Sequence, residues 1–169
     1  MTTQLQTEAP GAFHGERIEA RNPRSGDIDY RFVAPSRGEL EGLLGGLRRA
    51  QVAWREAPLQ HRIDVLRRWK AEWLKRQPEI IRALSVDTGR FLIASSEAAA
   101  VPGMIDRWTA LAPQLAREEE FASVNQPTIS YRSQFVPYSL VGVISPWNFP
   151  VALCFIDAIP ALLAGCAVF

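Results

Sequence analysis

The sequence predicts an α/β fold with helices first and a strand–helix–strand unit last, and three observations predict it. Apolar residues recur at helical spacing from residue 40 to beyond residue 100. Residues 128–134, Thr-Ile-Ser-Tyr-Arg-Ser-Gln, then alternate in the β-prone manner. Finally, the run 140–144, Leu-Val-Gly-Val-Ile, reads as a buried strand and meets a proline two residues on, at Pro146. A chain of 169 residues with 47% hydrophobic and 22% charged residues can bury a core of its own.

Residues 1–20 are expected to be a flexible tail; 1–10 are polar and lack the basic start and apolar core of a signal peptide. Residues 17–20 and 30–33 could nevertheless be short strands. Between them Asn22-Pro23 initiates a turn and Gly26 supplies a permissive backbone. Ser36 and Glu39 fit a capping box. Behind it Leu40, Leu43, Leu44, Leu47, Ala50 and Trp54 form one helical stripe, weakened by Gly45-Gly46. Pro58 opens the next helix, striped by Leu59, Ile63, Leu66, Trp69 and Trp73. Pro78 is expected to open a third, ending near Gly89. A fourth helical stretch runs over 92–117 with an interruption at Pro102-Gly103. The aromatic stripes are read as packing.

Residues 140–169 carry a single charge, Asp157. A hydropathy window would flag a membrane span, but Pro146, Pro150, Pro160, Gly142 and Gly165 punctuate a strand, turn, helix and strand instead. Pro150 suits a first helical turn, where no N–H is needed. A strand, a turn bearing the amide of Asn148, and a helix N-terminus together suit a site that faces an anion or oxyanion. From the residues alone, Asn148 reads more readily as a helix-entry cap.

The octapeptide 143–150, Val-Ile-Ser-Pro-Trp-Asn-Phe-Pro, followed by Pro160-Ala161-Leu162-Leu163-Ala164-Gly165-Cys166-Ala167-Val168, closely resembles the NAD(P)-dependent aldehyde dehydrogenase family. Two weaker echoes support it: Asn22-Pro23-Arg24-Ser25-Gly26-Asp27 resembles the family's Asn-Pro-x-x-Gly-Glu, and Asp87-Thr88-Gly89-Arg90 its Asp-x-Gly-Lys. The resemblance implies the N-terminal part of that fold: a helical layer, an oligomerisation strand arm over 124–138, and the first strand–helix–strand of a Rossmann-like sheet. Residues 21–169 would then be an incomplete cofactor-binding domain, with the catalytic domain absent.

By the same resemblance Asn148 helps stabilise the oxyanion formed when a cysteine thiolate attacks the aldehyde. Ile144, Ser145, Pro146 and Trp147 would border NAD or NADP at the strand's carboxyl end. No Gly-x-Gly-x-x-Gly is present, and the family lacks one too. Cys166 stands where asparagine is common, and Asp157 where lysine is common. Asp157 can be read as a helix-surface residue or as a buried polar contact. Cys154 and Cys166 have no histidine near them in sequence and read as small buried hydrophobes; no ligand spacing for a metal is present.

The implied function is oxidation of an aldehyde to a carboxylic acid, with the nucleophile and the glutamate base outside this stretch. The stretch alone is therefore expected to be inactive and, with an open apolar sheet edge, poorly soluble. A net charge of +1 argues against a nucleic-acid partner. Two cysteines without a disulfide pattern point to the cytoplasm, and the implied full-length protein is a homo-oligomer. The rival readings are a non-catalytic binding or vestigial subunit and a tail-anchored helical protein.

Overall fold

The computed structural model describes residues 13–169, so the start of the expected tail lies outside the described residues. Its end does not behave as a tail: residues 17–20 belong to β1 (Arg17–Arg21), which pairs antiparallel with β2 (Ile28–Val33). The Asn22 turn joins them. Its side-chain oxygen accepts from the N–H groups of Arg24 (2.9 Å) and Ser25 (3.2 Å), and Gly26 takes φ +79.

Helix α1 (Arg37–Glu56) begins at the predicted capping box, with both reciprocal bonds between Ser36 and Glu39 formed. Its leucine stripe is less buried than the pattern implies. Leu40, Leu44 and Leu47 are half-covered, Leu43 is exposed, and the buried residue of the helix is Gln51.

Helices α2 (Leu59–Thr88) and α3 (Phe91–Leu115) correct two expectations. Pro78 does not open a helix but lies inside α2, and Pro102 lies inside α3 without interrupting it. An interior proline forfeits one backbone hydrogen bond and costs roughly 3 kcal/mol. The long mutual packing of α2 and α3 offsets that cost. Ile63, Leu66 and Trp73 of α2 meet Val101, Ile105 and Ala112 of α3 in one core. Each fully buried aliphatic side chain contributes about 1.5–3 kcal/mol. Helix α2 ends where expected, at Gly89, whose φ of +69 a residue with a side chain rarely adopts.

A two-stranded antiparallel hairpin follows, β3 (Glu120–Ala122) with β4 (Ser130–Arg132), exposed along both strands; its first strand precedes the expected arm of 124–138. Next come β5 (Leu140–Val141), α4 (Ala152–Ala164) and β6 (Ala167–Val168). β5 and β6 are parallel, and bonds between Val143 and Phe169 (2.8 Å) and between Phe169 and Val141 (2.9 Å) continue the ladder. This is the predicted strand–helix–strand unit. Ile159 and Leu163 of α4 enter the α2–α3 core, and Phe155 packs tilted against Trp69 and edge-on against Trp73, at 4.8 and 5.7 Å between ring centres. Among the described residues no helix is long and apolar enough to cross a membrane. The 140–169 stretch that invited that reading is broken into strand, turn, helix and strand.

Candidate active site

The two ends of α4 are tied down by side chains from other helices, and the site lies at its N-terminal end. At the C-terminal end Gly165 adopts φ +101, and the N–H groups of Gly165 and Cys166 return to the carbonyls of Leu162 and Ala161. Three side chains then donate to carbonyls there. Trp54 Nε1 reaches Leu162, Arg62 Nε reaches Leu163, and Gln51 Nε2 reaches Gly165, each at 2.9 Å. Arg62, 8% exposed, also donates to the carbonyls of Ala57 (2.6 Å) and Arg55 (3.2 Å). Burial pulls the Arg62 pKa below its usual value, and these oriented carbonyls compensate the buried charge.

At the N-terminal end, β5 delivers the chain to Ser145-Pro146, and the turn 147–151 leads into α4. Ser145 Oγ donates to the Pro150 carbonyl at 2.8 Å, closing the turn. The helix starts at Ala152, later than Asn148-Phe149-Pro150 suggest. Its cap is Glu97 of α3, 2% exposed, whose Oε2 accepts from the N–H groups of Val151 (3.0 Å) and Ala152 (2.9 Å). The anion at this helix N-terminus is thus a carboxylate of the chain itself, which occupies the N–H groups of Val151 and Ala152.

Asn148 is half-buried, and among the described residues its side-chain amide makes no hydrogen bond; only its backbone carbonyl is engaged, by Arg90 Nη2. Asn148 is not the side-chain cap of α4. The Arg90 guanidinium lies 5.5 Å from the Trp147 ring centre and 5.7 Å from that of Phe149. Of the four residues expected to border a cofactor, Ile144 is 98% exposed and Trp147 76% exposed, while Ser145 is half-buried and Pro146 exposed. The run 140–144, read as a buried strand, is corrected: β5 covers only Leu140–Val141, Leu140, Val141 and Val143 are half-buried, and Gly142 and Ile144 are exposed.

Sequence reasoning missed Glu97 and the role of Arg90. The available signal for Glu97 was a lone carboxylate on the small-residue face of Ala94, Ala98 and Val101, where an acid is rarely buried without a partner. Asp157 is exposed, which decides between its two readings. Cys166 is buried and its thiol is pushed up by that burial, as suits a packing residue rather than a nucleophile; Cys154 is half-buried.

Comparison with known proteins follows the same line. Residues 12–169 match the sequence pattern of the aldehyde dehydrogenase family. The 3-sulfolactaldehyde dehydrogenase of Pseudomonas putida is 30% identical over 156 residues, which are 90% of this chain and 31% of that protein. The solved structure of PutA from Anabaena variabilis superposes with a TM-score of 0.87 at 45% identity, covering 90% of this chain and 32% of that one. The NADP-dependent glyceraldehyde-3-phosphate dehydrogenase of Bacillus halodurans, solved with NADP, gives 0.84 at 25% identity over 91% of this chain and 33% of its own. The chain spans about a third of the length of these relatives.

Proposed function

The chain belongs to the aldehyde dehydrogenase family, and from that membership we propose that it forms the oxyanion-donating, cofactor-side part of an enzyme that oxidises an aldehyde to a carboxylic acid. The observation that carries the reading is the unpartnered amide of Asn148 on a turn whose backbone is otherwise fastened. Attack of a thiolate on an aldehyde moves charge onto the carbonyl oxygen. A preorganised N–H donor lowers that barrier without reorganising, and one such donor is worth about 100- to 1000-fold in rate. The Asn148 amide is available for this task, since the N–H groups that open α4 are met by Glu97.

NAD or NADP, when bound, supplies the hydride acceptor. Ile144, Ser145, Pro146 and Trp147 would hold it, for they lie at the carboxyl end of the β5 strand, the side of an open α/β sheet where ligands bind. The exposed Ile144 and Trp147 side chains offer apolar surface to a flat ring. The carboxylate of Glu97 at the start of α4 argues that the cofactor's phosphates are received elsewhere. The exposed hairpin of β3 and β4 has unpaired outer edges fit to extend across to a second copy in a homo-oligomer. Two free thiols go with a reducing, cytoplasmic setting.

The chemistry also needs a nucleophilic cysteine and a base. Cys166 is buried and Cys154 lies half-buried on α4, so the reading assigns both groups to the part of the relatives' length that this stretch does not span. The test is the intact mass of the natural protein together with an assay for aldehyde-dependent reduction of NAD or NADP. Activity in a protein longer than this stretch supports the reading. A natural protein of 18.9 kDa without activity contradicts it, in favour of a non-catalytic subunit.

A further inference from the structure

We infer that Arg90 and Glu97 are positioning residues: together they bracket the turn that aims the Asn148 amide, and so act on catalysis through Asn148 without touching substrate. The inference rests on the oxyanion role proposed for Asn148.

The two residues are seven apart, so on α3 and its N-cap they lie two turns apart along one face. Both reach the same short segment. Arg90 donates to the carbonyl of Asn148 itself, and Glu97 accepts from the N–H groups of Val151 and Ala152, three and four residues on. The segment is thus held at both ends by one rigid helix. The grip has opposite polarity at its two ends: a cation on a carbonyl, an anion on amides. A turn that flipped or slid by one residue would leave a buried charge facing a like dipole.

This arrangement is costly, which argues for a purpose. Glu97 is buried among Ala94, Ala98 and Val101, and its second oxygen, Oε1, has no partner; the Nε of Arg90 is likewise buried and unpaired. A helix N-terminus needs no buried carboxylate, since an N-cap serine, aspartate or asparagine satisfies it locally at less cost. Here position 151 is valine, which cannot cap, and the side-chain amide of Asn148, three residues before it, is left without a hydrogen bond. Capping from α3 fixes the segment on which Asn148 stands. The rings of Trp147 and Phe149 lie to either side of Asn148 in sequence and both approach the guanidinium, so the residues flanking the amide are held as well.

A bracket that works through Asn148 makes the effects of Glu97 and Asn148 on turnover non-additive, whereas independent structural damage adds. The experiment compares the unmodified natural protein with Glu97→Ala, Glu97→Gln, Arg90→Lys, Asn148→Ala and the double variant Glu97→Ala with Asn148→Ala. Turnover is measured with saturating aldehyde and NAD or NADP, alongside amide hydrogen exchange of residues 148–153. Glu97→Ala is expected to lower kcat roughly 10- to 100-fold by misplacing the donor. Glu97→Gln, which keeps one acceptor oxygen, is expected to recover most of that loss. In the Asn148→Ala background Glu97→Ala should change kcat little. Arg90→Lys should lower kcat less than Glu97→Ala, because a point donor still reaches the carbonyl.

Exchange at Val151 and Ala152 should speed up in Glu97→Ala while the α2–α3 core keeps its protection. Fully additive losses in the double variant overturn the bracket, and so does unchanged exchange at 151–152. Absence of dehydrogenase activity in the unmodified protein instead overturns the proposed function, and the exchange measurement then decides the bracket by itself.

Discussion

The two ends of α4 make an instructive pair. Each is satisfied by side chains from other helices, yet one end is closed and the other presents chemistry. At the C-terminal end Gln51, Trp54 and Arg62 each donate to a carbonyl, and Gly165, Cys166 and Ala167 are buried. At the N-terminal end the backbone is engaged but the side chain is not. Glu97 and Arg90 hold the segment while the Asn148 amide stays unpartnered, beside an Ile144 and a Trp147 that face outward. Polar residues that end in backbone groups make a fold; one left over on a fastened segment makes a candidate site.

Changes at the two ends should therefore fail differently. The largest effect belongs to the N-terminal end. Asn148→Ala in the natural protein should lower kcat by about 100- to 1000-fold, with thermal unfolding nearly unchanged, because that amide holds nothing in the fold. At the C-terminal end the loss should fall on stability. Arg62→Met keeps the bulk but orphans the carbonyls of Leu163 and Ala57. It should cost about 3 kcal/mol in urea unfolding, since unsatisfied buried acceptors cost ~1–3 kcal/mol each. Gly165→Ala should cost about 2 kcal/mol. Its φ of +101 opposes a side chain, and a Cβ would stand 3.1 Å from the Arg55 Cα, which is backbone and cannot swing away. A Gly165→Ala variant as stable as the original would mean that the α1–α4 contact is loose.

The smallest effect lies away from both ends, at the capping box of α1. Hydrogen bonds from the Ser36 side chain and then from His14 hold the Glu39 carboxyl at about 2, down from 4.5. Folding therefore favours its ionised form. The stabilisation is complete above the usual carboxylate range and is lost as pH falls from there towards 2. Acid titrations of unfolding for the original and for Glu39→Gln should differ in slope only in that window. Identical slopes would show that the capping carboxylate titrates normally.

Much of this architecture was legible in order along the chain. Ser36 and Glu39 announced α1, Gly89 the end of α2, and the prolines and glycines of 140–169 the strand–helix–strand unit. What misled was Pro78 and Pro102. A proline is a local signal, and the α2–α3 core that carries helices through it is made of residues from two segments, visible only once they meet. The same reason hid the site's support. Asn148 stood out as a candidate because its neighbours in sequence are distinctive. Glu97 and Arg90 act on it from more than fifty residues away, and no local pattern couples α3 to the start of α4. Of the strand read as buried, the pairing holds and the burial does not: β5 pairs with β6, but it is only half-covered and Ile144 is exposed.

The most direct test of the central claim is the turnover of Asn148→Asp in the natural protein. Aspartate has nearly the same shape as asparagine and caps helices equally well, but it loses both amide donors and sets a negative charge against the oxyanion. The account predicts a kcat at or below that of Asn148→Ala, with the melting temperature of the original retained. Turnover close to the original would show that Asn148 serves as a shape or a cap, and would contradict its role as the oxyanion donor.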